Sequence, residues 1–165
     1  MLVKAYVSDS TIVRLPAPAN DFGISLANDL WDLTDAVRAC VCLSGDAWDY
    51  ERSLFRFSPE QRQLFAGLSY LSSVEREGHA AYFSSALSHG AEDAVACFRA
   101  CGSHVVADAI EEAKSLSSAS SIWADGALLV HSKGLDHLDA AVIQQSLVSE
   151  LRKFARRHAA HFERW

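Results

Sequence analysis

Nowhere in its 165 residues does the sequence carry an apolar run long enough to cross a bilayer, which takes about 20 residues. Its first residues, MLVKAYVSDSTIVRLP, lack the uninterrupted apolar segment of a signal peptide, so a cytoplasmic protein with no membrane association is expected. Cysteine is sparse. Cys40, Cys42, Cys97 and Cys101 form neither CxxC pairs of zinc-ribbon type nor the dense pattern of a secreted disulfide scaffold, and they read as free thiols in a reducing compartment. There is no GxSxG elbow, no HExxH motif and no internal repeat. The seven residues of SLSSASS make the one linker-like run, too short to separate domains.

Positive charge is scarce over most of the chain. Residues 1–150 hold 20 acidic and 10 basic side chains, a net of −10, whereas residues 151–165 hold 1 acidic and 5 basic, a net of +4. An acidic body excludes direct nucleic-acid binding through phosphates, which needs a basic footprint, and it suits a basic protein partner.

What is present is an ordinary globular composition, half of it hydrophobic, with aromatic residues from Tyr6 to Trp165. A single domain over 1–165 is expected, of a size that buries roughly 70% of the surface its unfolded chain exposes. The first 14 residues alternate enough to suggest a short hairpin or extended segment. Thereafter the spacing predicts helices. Leu26, Leu30, Leu33, Val37 and Val41 mark the first, opened by Asn20 or Asp21 and stopped near a left-handed Gly45. Ser58 and Pro59 open another, with Leu64, Leu68, Leu71 and Val74 as its buried stripe.

The pattern resumes after Gly78 with Ala81 and Tyr82, restarts with Ala91, Ala94, Val95 and Phe98 up to Gly102, and continues through Val106, Ile110 and Ala113. IWADGALLVHSKG fits a helix or a buried strand, and its surroundings favour helix. Ile143, Leu147, Leu151, Phe154, His158 and Phe162 define a long C-terminal helix over about 140–163. The expected fold is therefore all-α, a compact bundle of about seven to nine helices.

Several residues invite a chemical reading. Cys97 and Cys101 lie four apart with His89 and His104 nearby, a set that would suit zinc, but they interleave with Ala94 and Phe98 as core cysteines do. His158 and His161 lie on and beside an apolar stripe without a carboxylate at HExxH spacing, so they read as packed or rim histidines. No cysteine sits in an electropositive setting that would make it a nucleophile. Neither a metal, a cofactor nor a catalytic residue is expected. At about 100° per residue, Asp32 and Asp35 point away from the first helix's stripe with Asp29 at its edge, and Asp108, Glu111 and Glu112 lie opposite Val106 and Ile110. Ordinary amphipathicity accounts for both carboxylate ridges, and a binding surface would use them.

The stretch FSPEQRQLFAGLSYLSSVEREGHAAYFSSALSHGAEDAVACFRACGSHVVADAIEEA resembles the core of the DNA mimic protein 19-like family, best over residues 55–115. The order matches: a helix with a Ser-Pro cap, a glycine corner followed by an aromatic pair, a helix ending in Gly-Ser and another ending in acids. Of the corner that the family usually shows, Gly78, Tyr82 and Phe83 are kept, a glycine where backbones crowd and aromatics to fill beneath it. His79 stands where the family has an apolar side chain and is expected to be packed and catalytically idle.

The resemblance implies an all-helical fold and, in the family's named member, an acidic surface that imitates the phosphate array of DNA. It implies a non-enzymatic protein that binds a protein partner, a DNA-binding regulator among the candidates, and the carboxylate ridges supply the candidate contacts Asp29, Asp32, Asp35, Asp108, Glu111 and Glu112. Two other readings stay open. One is a helical binding or immunity-like module using a mixed patch that includes Trp31 or Trp48. The other is a metal-dependent enzyme using the cysteines and histidines.

Overall fold

In a computed structural model of the protein, the described residues are 28–120, 122–124, 127–129, 138–139, 142 and 147–162. The expected N-terminal extended segment and the capping Asn20 or Asp21 lie outside them. The described chain is all-α apart from one short hairpin, as the hydrophobic spacing and the resemblance both imply.

The first expected helix is two. α1 covers Asn28–Leu33 and α2 covers Asp35–Arg38. Between them the buried Thr34 donates its hydroxyl to the Trp31 carbonyl at 2.9 Å while its N–H reaches the same carbonyl at 3.0 Å, which tightens the turn and breaks the helix. Leu30 and Val37 are buried, but Leu33 is 39% exposed. The left-handed conformation expected of Gly45 is also corrected, since positive φ among the described glycines is confined to Gly78 and Gly102. α3, Ala47–Leu54, starts instead from Asp46, whose carboxylate accepts the N–H groups of Trp48 and Asp49.

α4, Pro59–Phe83, is the axis of the fold. Ser58 caps it through the Gln61 N–H, and the Gln61 side chain returns a bond to the Ser58 N–H, a capping box with Pro59 in the first turn. Leu64 to Leu71 are buried without interruption, so this stretch of the helix is surrounded by its neighbours. Its neighbours are α2, a 3-10 turn at Ala86–Gly90, α5 (Ala91–Ala100) and α6 (His104–Ser120). α7, Leu147–Arg157, packs on α4, α5 and α1 through Leu147, Leu151 and Phe154.

α5 ends in a Schellman turn. The Ser103 N–H donates to the Phe98 carbonyl at 2.8 Å and the Gly102 N–H to the Arg99 carbonyl at 3.0 Å, with Gly102 at φ 79°.

Two further expectations are corrected. The serine run read as a linker continues α6 to Ser120: Ser117 is buried, Leu116 packs on the core, and the Ser118 hydroxyl bonds the Lys114 carbonyl at 2.9 Å. The segment favoured as helix is instead an antiparallel hairpin, β1 (Ile122–Ala124) with β2 (Ala127–Leu129), in register Ile122 with Leu129 and Ala124 with Ala127. The C-terminal helix stops at Arg157 and passes into a 3-10 turn at Ala159–His161.

Candidate functional site

All six carboxylates singled out from the sequence are exposed, and they fall in two groups. Asp29, Asp32 and Asp35 lie on α1 and α2, supported by α7 and α4; Asp108, Glu111 and Glu112 lie on α6, supported by α5 and α4. The structure also supplies cations that the helical wheel did not. Arg152 of the basic terminal helix grips Asp29 through two bonds of 3.0 Å, Arg38 holds Asp35 at 2.9 Å, and Arg99 holds Glu111 at 2.7 Å. Asp32 and Asp108 have no cation partner among the described residues. These pairs are solvent-exposed, the class worth about 0.2–1 kcal/mol, so an incoming basic surface can exchange for them at little cost.

The aromatic residues divide differently from expectation. Trp31 is 7% exposed and belongs to the core, with the Arg38 guanidinium 5.5 Å above its ring. Trp48 is 63% exposed on α3, stacked by Arg52 at 5.0 Å, and Phe55 just beyond it is 79% exposed. Trp31 lines a cleft of about 220 Å³ shared with Arg38, Ser69, Ser73, Arg76 and Glu77. The buried Trp31 Nε1 and Ser69 Oγ find no hydrogen-bond partner among the described residues.

The corner beside that cleft shows what requires a glycine at position 78. Gly78 interrupts α4 at φ 78° and ψ 174°, a conformation open only to glycine. A Cβ there would stand 2.6 Å from the Asp139 Oδ2 atom. The break frees the N–H of His79, and Asp139, 60 residues on, accepts it at 2.9 Å.

The same Asp139 oxygen faces the His79 Nδ1 atom, and the Tyr70 hydroxyl lies 2.6 Å from Nε2. An ionised carboxylate can only accept, so Nδ1 carries the proton that faces Asp139, and Nε2 pairs with the Tyr70 hydroxyl. His79 is wholly buried, as expected, but it is a hydrogen-bonded linker rather than an apolar filler.

Tyr82 fills the space beneath, edge-on to Tyr70 at 5.1 Å and to Phe83 at 5.1 Å. Burial pushes the Tyr70 and Tyr82 phenols well above their ordinary value, reinforced for Tyr70 by Tyr82 and Asp139. Sequence reasoning found Gly78, Tyr82 and Phe83 and missed Asp139, which no local spacing signals.

Cys97 and Cys101 are buried and belong to the hydrophobic core. No helix among the described residues is long and apolar enough to cross a membrane.

Compared with known proteins, the chain matches the family model described as DMP19-like protein over residues 55–158, from the end of α3 to the end of α7. Neither the curated proteins nor the solved structures contain a match to it.

Proposed function

The chain belongs to the DMP19-like protein family, and from that premise we propose that it is a non-enzymatic, cytoplasmic interaction protein. Its acidic helix faces bind a basic protein, of the kind that otherwise holds DNA phosphates. The observation that carries this reading is the exposure of all six carboxylates on α1, α2 and α6, with Asp32 and Asp108 free of any internal cation among the described residues. A row of carboxylates offers a DNA-binding protein the same partners for lysine and arginine that phosphates do.

The test is competition. A partner captured from the source lysate should be released by duplex DNA, and its binding should weaken steeply as salt rises. Binding that duplex DNA does not displace, and that is indifferent to salt, would overturn the mimic reading.

A second reading is favoured by the exposed Trp48, Arg52 and Phe55, since tryptophan and arginine are the residue types that most often anchor protein interfaces. In that case the partner docks on α3 through a mixed patch. Replacing the six acids by their amides separates the two: capture is lost under mimicry and kept under α3 docking, where Trp48→Ala abolishes it instead.

A further inference from the structure

His158 and His161 gain a third companion in the fold. α7 returns the C-terminal turn to the start of α4, where Glu60 occupies the first helical turn, and one ligand atom from each of Glu60, His158 and His161 lies within 4.8 Å of the others. His161 Nδ1 stands 3.3 Å from Glu60 Oε2. That oxygen is closed off from solvent and accepts no hydrogen bond of sound geometry among the described residues. The ring of His158 is steadied by Phe154, 4.6 Å away between centroids.

An ion pair at the rim accounts for Glu60 and His161 and leaves the other imidazole unexplained. One potential ligand atom from each of the three side chains already lies within 4.8 Å of the other two, a spacing from which all three can turn onto a single ion. We propose that Glu60, His158 and His161 form a binding site for one divalent transition-metal ion, with zinc the best match, that clasps the C-terminal turn to the first turn of α4.

Two imidazoles and one carboxylate are a ligand set that zinc accepts, with its remaining position left to water or to a partner's side chain. Bonds of about 2.0–2.2 Å place tetrahedral ligand atoms roughly 3.4 Å apart, so closing the site needs only small side-chain rotations. Magnesium, which prefers oxygen ligands and gives up its water reluctantly, is excluded by the same chemistry. A buried carboxylate oxygen with no well-aligned hydrogen bond among the described residues is what such a site leaves behind before the ion arrives.

The experiment is calorimetric titration of the purified full chain with zinc and, in parallel, with magnesium, alongside thermal melts and the visible spectrum of the cobalt-loaded protein. One zinc per chain, a raised melting temperature, no response to magnesium and a visible cobalt band are expected. Glu60→Gln and His161→Ala change half-exposed or exposed side chains and leave the core intact. Each should weaken zinc binding at least as much as the roughly 10–100-fold that loss of a mere outer-shell partner costs, and His104→Ala, an exposed histidine elsewhere, should leave it unchanged. Zinc binding that survives both site variants, or no zinc binding by the wild-type chain, would overturn the proposal.

Discussion

Gly78→Ala tests whether the corner rests on backbone geometry. The native φ of 78° with ψ of 174° lies where only glycine is comfortable, and alanine there costs about 1–3 kcal/mol. The new Cβ would also stand 2.6 Å from Asp139 Oδ2, so Asp139 must withdraw. Withdrawal gives up its charged hydrogen bond to the His79 N–H, a class worth about 1.5–3 kcal/mol. Taken together the substitution should cost about 4 kcal/mol, and at roughly 2–4 °C per kcal/mol for a chain of this size the melting temperature should fall by about 8–16 °C.

Far-UV circular dichroism melts measure the fall, and urea titration with an unchanged slope confirms that the folded state stays compact. Asp139→Ala should be destabilising alone, and in the double variant the clash has nothing to meet. The two effects should therefore fall short of additivity by at least about 1 kcal/mol. A Gly78→Ala protein that melts within about 2 °C of the original, or strict additivity in the double variant, would refute the account of the corner.

The two buried tyrosines of that corner should respond oppositely. Tyr70→Phe removes the hydrogen-bond partner of His79 Nε2 and should cost about 1–2 kcal/mol in chemical denaturation, whereas Tyr82→Phe, whose hydroxyl has no partner among the described residues, should be neutral or stabilising. Arg62 joins Asp93 at 2.9 Å and Glu51 at 2.8 Å, so Arg62→Met should cost about 2 kcal/mol near neutral pH, less than the full ~3–5 of a deeply buried pair because both partners keep some solvent. Burial already raises the Asp93 carboxyl above its ordinary value against the pull of Arg62, and a raised carboxyl favours folding at low pH. The penalty of Arg62→Met should therefore shrink as Asp93 protonates, and a penalty that grew on acidification would contradict the pairing. Arg152→Gln should cost under about 1 kcal/mol of stability and, by releasing Asp29, should tighten partner capture if α1 belongs to the contact surface; unchanged capture would place the contact away from Asp29.

What the sequence made legible is what short-range chemistry decides. The capping box at Ser58 and Gln61 and the Schellman turn at Gly102 each lie within a few residues of chain, and both stand where the local signals put them. The 3.6-residue period identified the buried stripe of α4 and the exposed side of α6 for the same reason. It failed where one local preference overrode another. Thr34 folds its hydroxyl back onto Trp31 and splits a helix that the apolar spacing joins, and this break accompanies the burial of Trp31 next to Leu30. Serines without a glycine or proline among them stayed helical to Ser120, because Leu116 and Ser117 gave that turn a buried face. For Ile122 to Leu129 the run is too short for periodicity to choose, and the deciding signal was the Asp-Gly pair between the strands, a hairpin dipeptide.

The functional surfaces were the least legible, and the reason is range. Helical position fixes whether a carboxylate meets solvent; whether it keeps its charge for a partner depends on cations brought in by the fold. Asp29 and Asp32 share α1 and both meet solvent, yet Asp29 is matched by an arginine 123 residues away and Asp32 is not. The same distance hides Asp139 from His79 and Glu60 from His161, and in both places a carboxylate turns a histidine that reads as filler into part of a polar assembly. Net charge by segment therefore overstates the acidity of both groups, since Asp29, Asp35 and Glu111 are matched by arginines while Asp32 and Asp108 are not. If the acidic faces bind the partner as proposed, the unmatched Asp32 and Asp108 should carry more of the contact, and Asp108→Asn should weaken capture more than Asp29→Asn does.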